Sequence, residues 1–342
     1  MAWRNAAPLS LLLSAALALR LPAPGRVVAV GDVHGDVHAY LRVLKLARLV
    51  PSDSSAQCVD EIKWIGGDAT LVQMGDVLDR GPDEAQCMAV LRTLRQQAPA
   101  SNGRVVCLLG NHEVMNVLGV AAPFVHPDSR TAFGRNRQAA FMAGGELARE
   151  LSEWYVTCIV GDSCFVHANL PADATADSLS ALNRWTSEWL RGERPVHDLP
   201  KNFVNGRKGP QLTASPIWGR GLGVDTPPPY HCDALRRTLR RLDCSRVVVG
   251  HTPQVMGINE ACDCLVWRCD TGMSKFVFSG ACEALQIDSD GSVQVLQEEE
   301  AIRRLEEEEE EEEEEDFGDG DERWRVATAN TAESWYDIYG MQ

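Results

Sequence analysis

The sequence predicts an α/β fold made of two β-sheets that are flanked by helices. Apolar runs rich in Val and Leu end at Gly31, Gly75 and Gly110, and helical patterns lie between them. This alternation is typical of a largely parallel sheet that is covered on both faces. Shorter β-like runs indicate a second, antiparallel part. They lie at 264–269, 275–279, 283–287 and 292–296.

The first three strands and their helices follow from the pattern of apolar residues. Residues 26–31 (RVVAVG) are a continuous apolar run and predict the first strand, and the periodicity over 37–49 predicts the helix that follows. TLVQMG at 70–75 and RVVCLLG at 104–110 predict the next two strands, with a helix over 83–97 between them. We therefore expect successive strands joined by helices.

Two later strands are predicted at 163–166 and 246–250, where apolar runs again lead into a histidine. The segment 171–230 between them is rich in proline and carries Trp185 and Trp189 four residues apart on a predicted helix. Insertions of this kind between strands usually become loops over the functional site. We therefore predict that 171–230 is a cap-like insertion.

The predicted domain extends from residue 26 to 297 and is preceded by a segment of different composition. Residues 1–25 contain no acidic residue, and a basic start leads into the apolar run 9–19. This order is typical of a secretory signal peptide, with an organellar transit peptide as the alternative. We expect a targeting leader over 1–25 and a location in the secretory pathway or outside the cell.

The net charge of −16 is concentrated in an acidic low-complexity tail over 298–342. Between residues 298 and 322, 17 acidic residues stand against two arginines, and the body of the chain is close to neutral. A neutral body does not attract nucleic acid, so we expect no nucleic-acid partner. The tail is expected either to bind calcium or a basic partner, or to act only as a solubilising segment. No run of eighteen apolar residues follows the leader, so no transmembrane span is expected.

The chain contains eleven cysteines, which are many for its length. Cys262, Cys264 and Cys269 have C-x-C-x4-C spacing, which is a poor match to a zinc ribbon. Most of the cysteines are predicted to be small buried apolar side chains. One or two disulfides near 262–282 are expected only if the compartment is oxidising.

Side chains that can bind a metal follow five of the predicted strands. Because the carboxyl ends of parallel strands meet at one edge of a sheet, these side chains are expected to lie close together. Carboxylate, imidazole and amide donors without a thiolate suit Mn, Fe or Zn. Their number exceeds what one ion needs and favours two ions about 3.5–4 Å apart that share a carboxylate. The candidate ligands are Asp32 and His34 in GDVHGD, Asp76 in GDVLDRG, Asn111 in GNHE, His167 in VHANL and His251 in VVVGHT.

The series GDVHGD, GDVLDRG, GNHE, HANL and GHT resembles the metallophosphoesterase signature in its phosphoprotein phosphatase form. It is most similar to that of the Shewanella-like protein phosphatases. The resemblance covers roughly residues 26–296 and implies a calcineurin-like fold, with a central β-sandwich flanked by helices. It implies that Asp32, His34 and Asp76 bind one metal. A second metal would be bound by Asp76, Asn111, His167 and His251, with Asp76 bridging the two.

The resemblance also implies roles in catalysis and substrate binding. These roles are His112 as general acid, Asp79 as its orienting partner, Arg80 as a phosphate clamp and Asn111 as a further substrate contact. PIWGR at 216–220 is similar to the family segment that carries a second phosphate arginine, here Arg220. HANL departs from the family pattern, in which a glycine pair commonly follows the histidine, and this leaves the substrate preference open.

These assignments predict a metal-dependent phosphomonoester hydrolase, namely a protein phosphatase that acts on a phosphoprotein or phosphopeptide. Two metal ions would activate a bridging hydroxide for attack on phosphorus, and His112 would protonate the leaving oxygen. Two alternatives remain. One is a hydrolase of dinucleoside polyphosphates, since related enzymes share these motifs, and the other is a binding protein that acts through its acidic tail. The motifs do not decide between phosphotyrosine and phosphoserine.

Overall fold

The structure is a computed structural model that describes residues 19–134, 136–205 and 215–298. The strands in these residues are β1 (Arg20–Leu21), β2 (Val27–Val30), β3 (Thr70–Gln73), β4 (Arg104–Cys107), β5 (Thr157–Val160), β6 (Ser163–Val166), β7 (Arg246–Val249), β8 (Asn259–Ala261), β9 (Val266–Arg268), β10 (Ala284–Ile287) and β11 (Val293–Leu296). The α-helices are α1 (Val37–Leu46), α2 (Glu84–Gln97), α3 (Asn111–Val117), α4 (Arg137–Phe141), α5 (Glu146–Leu151), α6 (Ala176–Leu190), α7 (Lys201–Asn205) and α8 (Pro229–Leu242). Short 3₁₀ segments lie at Ala56–Glu61, Ala98–Ser101, Pro127–Thr131 and Val196–Asp198.

One sheet has five strands in the order β11-β10-β2-β3-β4. β2, β3 and β4 are parallel, with Val27 opposite Thr70 and Thr70 opposite Arg104. β10 is antiparallel to both β2 and β11. Every residue of β2 is buried, which explains why VVAV is a continuous apolar run rather than an alternating one.

The other sheet has six strands in the order β1-β5-β6-β7-β9-β8. Its strands β6, β7 and β9 are parallel, so the chain leaves β6 and β7 at the same edge. β5 and β8 pair antiparallel with β6 and β9. Both sheets are therefore mixed, and each has a parallel centre.

The two sheets pack face to face, and helices cover their outer faces. Val72 and Val106 of the five-stranded sheet share one hydrophobic cluster with Phe165 and Val248 of the six-stranded sheet. α1 and α2 cover the outer face of the five-stranded sheet. α8 covers the other outer face, where Leu239 packs in a separate cluster. The predicted α/β sandwich flanked by helices is confirmed.

The strands that the apolar runs predict are present with slightly shorter bounds, except for one run. Residues 275–279, expected to be a strand, form a turn. In this turn Ser274 O accepts hydrogen bonds from Val277 N at 2.9 Å and from Ser279 N at 3.0 Å, so this stretch of backbone is folded back rather than extended. β1, β5 and β8 have no predicted counterpart. β1 and β8 have only two and three residues, and strands this short leave little pattern in the sequence.

The first part of the segment 171–230 packs into the body of the domain. Trp189 of α6 belongs to the main hydrophobic core. Asn183 of the same helix accepts a hydrogen bond from Val156 N through Oδ1 at 2.9 Å. This part is therefore anchored in the body of the domain. Residues 206–214 lie outside the described residues, and a cap formed by the remainder of the segment stays a prediction.

The fold begins earlier than the predicted end of the leader 1–25. Leu19 is buried and belongs to the core under α8. β1 pairs in parallel with β5, with Arg20 opposite Ile159. The body of the domain therefore includes the last part of the predicted leader, and the end of the leader at residue 25 stays a prediction.

Two predictions fall on residues outside the described ranges. Residues 1–18 contain most of the predicted leader, and residues 299–342 contain nearly all of the acidic tail. The cellular location and the binding of calcium or a basic partner therefore stay predictions. Within the described ranges, none of the helices combines the length and the apolar composition that a bilayer span needs.

A disulfide joins Cys232 of α8 to Cys262, which lies between β8 and β9. It ties a helix that covers the six-stranded sheet to the hairpin at the edge of that sheet. The sequence predicts disulfides near 262–282 for an oxidising compartment. Cys262 belongs to that region and Cys232 lies outside it, and the cellular location stays a prediction. Most of the free cysteines in the described ranges are buried, as predicted.

We expect the disulfide to contribute about 3.7 kcal/mol to the free energy of unfolding, because it joins residues 30 positions apart in sequence. Cys232→Ser should lower the unfolding free energy correspondingly in urea titrations without reductant. Cys58→Ser changes an exposed free cysteine and is the matched control, which should keep the wild-type midpoint. Equal stability of the Cys232→Ser variant and the wild type would show that the bond does not stabilise the fold.

Candidate active site

The candidate site lies where strands of both sheets end. Its predicted ligands follow the carboxyl ends of five strands, so the parallel centres of the two sheets bring them to one edge of the sandwich. All of them are buried. They are Asp32 and His34 after β2, Asp76 after β3, Asn111 at the start of α3, His167 after β6 and His251 after β7.

A first group of donors surrounds His34. Ligand atoms of His34, Asp76 and His112 lie within 4.8 Å of one another. His34 Nε2 is 3.7 Å from Asp76 Oδ2 and 4.0 Å from Asp32 Oδ2. The three residues predicted to bind the first metal therefore lie together, with His112 beside them.

A second group of donors surrounds His167. Ligand atoms of Asp76, His167 and His251 lie within 4.8 Å of one another. His167 Nε2 is 3.5 Å from Asp76 Oδ2 and 3.2 Å from Asn111 Oδ1. Asp76 belongs to both groups, which is the position that a carboxylate shared by two ions requires. The structure thus brings all the predicted ligands together, and their metal binding stays a prediction.

The backbone orients two of the histidines. His34 Nδ1 lies 3.1 Å from Leu78 O, and His167 Nδ1 lies 2.8 Å from Met74 O. Because a carbonyl oxygen only accepts, both Nδ1 atoms carry a proton and donate it. The Nε2 atom of each ring is therefore the one available to a metal ion. Metal-binding histidines usually have their other ring nitrogen hydrogen-bonded in this way.

The charge states of three donors are the ones that bind cations. Burial would raise the pKa of Asp76, but the imidazoles of His167 and His112 outweigh it and hold this pKa well below its usual range. Burial and the His112 imidazole lower the pKa of His34 to about 3. Burial and the His167 imidazole also lower the pKa of His251. An ionised carboxylate and two neutral imidazoles are ligand forms, so this donor set fits the metals that the sequence predicts.

Two further groups show the excess of negative charge in the site. Burial and the neighbouring Asp270 carboxylate raise the pKa of Asp32 well above its usual range. Burial would lower the pKa of His167, but Asp76 and Asp32 outweigh it and raise this pKa to about 10. A cation bound among these carboxylates would neutralise their excess negative charge. It would also displace the proton on His167 Nε2, while Nδ1 keeps its proton for Met74 O.

Several site residues have a left-handed backbone, which non-glycine residues rarely adopt. The φ angle is 49° at His34 and Asp76, 67° at Asp79 and His251, and 69° at Arg80. Such conformations cost on the order of 1–3 kcal/mol each and persist only where the surroundings hold them. Here Asp76 O accepts hydrogen bonds from Val33 N at 3.1 Å and from His34 N at 2.9 Å, which fixes the first two loops against each other.

Glu113 holds the second and third motifs together. Its carboxylate accepts hydrogen bonds from Asp76 N at 2.9 Å, Val77 N at 2.9 Å, Leu78 N at 3.2 Å and Gly110 N at 2.8 Å. Gly110 is required because a Cβ there would lie 2.1 Å from Asp76 Oδ1. The motifs assign no role to Glu113, although a glutamate at the third position of a helix commonly bonds the N-cap.

The predicted catalytic pair is in contact. His112 Nδ1 lies 2.7 Å from Asp79 Oδ2, so the ring donates to this carboxylate and Nε2 is left for the site. The backbone N of His112 donates to Asp76 Oδ1 at 2.9 Å, which ties the pair to the donor groups. Asp79 is fully buried, and Asn116 Nδ2 lies 3.1 Å from both of its oxygens.

Both predicted phosphate-binding arginines are exposed at the site. Arg80 lies with its guanidinium 5.9 Å from the centroid of the Phe124 ring, and that ring meets His112 edge-on at 5.3 Å. Arg220 Nη1 donates to His251 O at 3.2 Å. Arg220 therefore contacts a candidate metal ligand directly, whereas Arg80 is linked to His112 through the Phe124 ring.

Three residues around Asp79 have no assigned role in the motifs. Asn116 follows His112 by four residues on α3, so the helical repeat alone predicts that the two share a face. Arg137 Nη2 lies 3.3 Å from Asp79 Oδ1, and Glu84 Oε1 accepts a hydrogen bond from Asp79 N at 2.6 Å. No local pattern points to Arg137 or Glu84.

The chain is similar to known proteins over most of its length. The family profile of the calcineurin-like phosphoesterases matches residues 25–255. An uncharacterized protein of Schizosaccharomyces pombe is 32% identical over 291 residues, with 80% of each chain covered. Shewanella-like protein phosphatase 2 of Arabidopsis thaliana is 28% identical over 329 residues, with 82% of this chain and 79% of that protein covered. The structure of a cold-active protein tyrosine phosphatase matches with a TM-score of 0.65 and 23% identity over 83% of each chain. The resemblance and the fold that it implies are confirmed.

We expect Asp76→Asn to weaken metal binding at both positions, because Asp76 lies in both donor groups. Metal-stripped wild-type protein titrated with Mn²⁺ in a calorimeter should bind two ions per chain. The Asp76→Asn variant should bind markedly less. Asp263→Asn is the matched control, since the Asp263 side chain is 88% exposed and lies in the turn between β8 and β9. An unchanged stoichiometry and affinity in Asp76→Asn would contradict a shared ligand.

Proposed function

Because the chain belongs to the calcineurin-like phosphoesterase family and is a hydrolase of phosphoesters, we propose that it is a phosphoprotein phosphatase with a dinuclear metal centre. The observation that carries this proposal is the position of Asp76, whose carboxylate lies in both donor groups. A site for one ion needs only one such group.

The family is metal-dependent, and the donor set suits Mn, Fe or Zn. Ions bound here would supply positive charge against the phosphoryl oxygens and lower the pKa of a water molecule. The chain itself contributes the orientation of the donors. His34 and His167 are held by backbone carbonyls and Asp76 lies on a loop fixed by Glu113, so the chain's own hydrogen bonds orient these donors.

His112 is the proposed general acid. Its Nδ1 donates to Asp79, which leaves Nε2 to carry the proton for the leaving group. As water attacks phosphorus and a new P–O bond forms, the ester P–O bond breaks. The proton of His112 Nε2 passes to the leaving oxygen, which departs as the alcohol. Asp79 holds the ring in the productive orientation and stabilises the protonated imidazole.

Arg80 and Arg220 are proposed to bind the phosphoryl oxygens, with Asn111 as a further contact. The Arg80 guanidinium lies against the Phe124 ring, and Arg220 donates through Nη1 to His251 O and Thr252 Oγ1, so both guanidinium groups keep further donors for a phosphate. Guanidinium groups bind phosphate with two parallel hydrogen bonds, which fixes its orientation as well as its position.

A phosphoprotein or phosphopeptide is the proposed substrate. The named Arabidopsis relative is a protein phosphatase, and its similarity extends over 82% of this chain. The exposure of both arginines suits a phosphate that projects from the surface of a protein. A dinucleoside polyphosphate remains the second candidate substrate, because enzymes for these compounds share the strand-end motifs.

We expect the purified protein with Mn²⁺ to hydrolyse phosphopeptides faster than diadenosine tetraphosphate. The measurement is kcat/KM for phosphotyrosine and phosphoserine peptides and for the dinucleotide under one set of conditions. A chelator should abolish the activity, and added Mn²⁺ should restore it. Faster turnover of the dinucleotide would identify the second candidate as the function. No turnover of any substrate by metal-loaded protein would contradict an enzymatic role.

We expect His112→Asn to lower kcat on phosphoserine peptides by about 10²–10⁴-fold, because an alkoxide leaves poorly without a proton. The loss on p-nitrophenyl phosphate should be much smaller, since that leaving group needs little protonation. His197→Asn is the matched control, because the His197 side chain is 80% exposed. If His112→Asn reduced both activities equally, His112 would not be the acid for the leaving group.

A further inference from the structure

A mostly buried guanidinium lies behind the His112–Asp79 pair. Arg137 begins α4, and its side chain is 12% exposed. Its Nη2 atom lies 3.3 Å from Asp79 Oδ1 and 2.9 Å from Asn116 Oδ1. Asn116 Nδ2 in turn bonds the Asp79 carboxylate. Arg137 therefore reaches this carboxylate both directly and through Asn116.

Glu84 and two aromatic rings fix the guanidinium itself. Arg137 Nη1 donates to Glu84 Oε2, and Nη2 donates to Glu84 Oε1 at 3.1 Å. The guanidinium carbon lies 4.8 Å from the centroid of the Phe141 ring and 5.3 Å from that of Phe133. Because the guanidinium is planar, these contacts fix its orientation and therefore the direction of Nη2 toward Asp79.

The two oxygens of the Asp79 carboxylate share Asn116 Nδ2 but differ in their other partners. Oδ2 accepts the bond from His112 Nδ1, and Oδ1 faces Arg137 Nη2. A carboxylate bonded at one oxygen only could rotate about its terminal bond and carry the imidazole with it. The contact at Oδ1 opposes this rotation. Its effect is larger in a fully buried side chain, because no water competes for Oδ1.

We propose that Arg137 is a positioning residue for protonation of the leaving group. It fixes the plane of the Asp79 carboxylate, and this plane sets the direction of His112 Nε2. The inference rests on the proposed function, in which His112 is the acid. Among the hydrogen-bond partners of Arg137 in the described ranges there is no candidate metal ligand and no phosphate-binding arginine.

The test uses Arg137→Lys in the full chain with Mn²⁺. A lysine keeps a cation for Glu84, but a single ammonium cannot span Glu84, Asn116 and Asp79 at once. We expect kcat on a phosphoserine peptide to fall roughly 10- to 100-fold, because a small displacement of a catalytic group has effects of this size. The loss on p-nitrophenyl phosphate should be much smaller, with KM and metal content near the wild-type values.

A matched control separates this effect from the loss of an ion pair. Arg92 joins α2 to α5 through two hydrogen bonds to Glu150, at 2.7 and 2.8 Å. Arg92→Lys should leave kcat on both substrates unchanged. In proton NMR spectra of the Zn²⁺-loaded protein, which is diamagnetic, the low-field resonance of His112 Nδ1–H should shift in Arg137→Lys and stay in place in Arg92→Lys. An unshifted resonance in Arg137→Lys would overturn the proposal.

A second variant covers the case in which Arg137→Lys does not fold. Arg137→Met combined with Glu84→Gln removes both charges together, so no unpaired carboxylate is left in the interior. It should show the same selective loss on the phosphoserine peptide. Equal losses on the two substrates would overturn the proposal.

A double-mutant cycle distinguishes this inference from the proposed function. In the His112→Asn background, Arg137→Lys should cause no further loss, because both residues serve the same step. Additive losses would overturn the positioning role while leaving His112 as the acid. If His112→Asn itself showed no dependence on the leaving group, the proposed acid would be wrong, and the inference would fail with it.

Discussion

The four backbone N–H groups that converge on the Glu113 carboxylate are the interaction on which the site depends. Three of them belong to the loop after β3 and one to the turn before α3, so one side chain sets the distance between these loops. The first loop carries Asp76, and the helix after the turn carries Asn111 and His112. A hydrogen bond to a charged group contributes about 1.5–3 kcal/mol. Loss of the carboxylate would also leave four N–H groups without their acceptor. Stability of the domain and geometry of the centre are therefore linked through Glu113.

The centre also depends on the packing of one sheet against the other. Asp32 and Asp76 follow strands of the five-stranded sheet, whereas His167 and His251 follow strands of the six-stranded sheet. Neither sheet holds both donor groups by itself. The apolar cluster between the sheets, which includes Phe165, sets the separation of the two halves. Because this interior is close-packed, a change of side-chain volume there is expected to alter the distances between donors.

The metal ligands that the sequence could predict share one property, since each follows closely on a buried strand. Arg220 does not, and its prediction rests on the similarity of PIWGR alone. Apolar runs locate the strand ends, and the motifs give the residue types. Arg137 contacts Asp79 across 58 positions of the chain, and a local pattern carries no information about such a pair. The run 275–279 shows the opposite case. Its composition (KFVFS) suits a strand, but its backbone partners lie within a turn, and the tertiary context decides which form is adopted.

The short strand β1 protects the edge of the six-stranded sheet. All four residues of β5 are buried, and the outer edge of β5 bonds to the chain at Leu19 O and Leu21 O. Without these partners, an apolar strand would expose unpaired N–H and C=O groups, onto which a strand of another molecule can add. Proteolytic removal of residues 19–21 would therefore create an edge prone to aggregation, whereas cleavage before Leu19 would leave the edge covered.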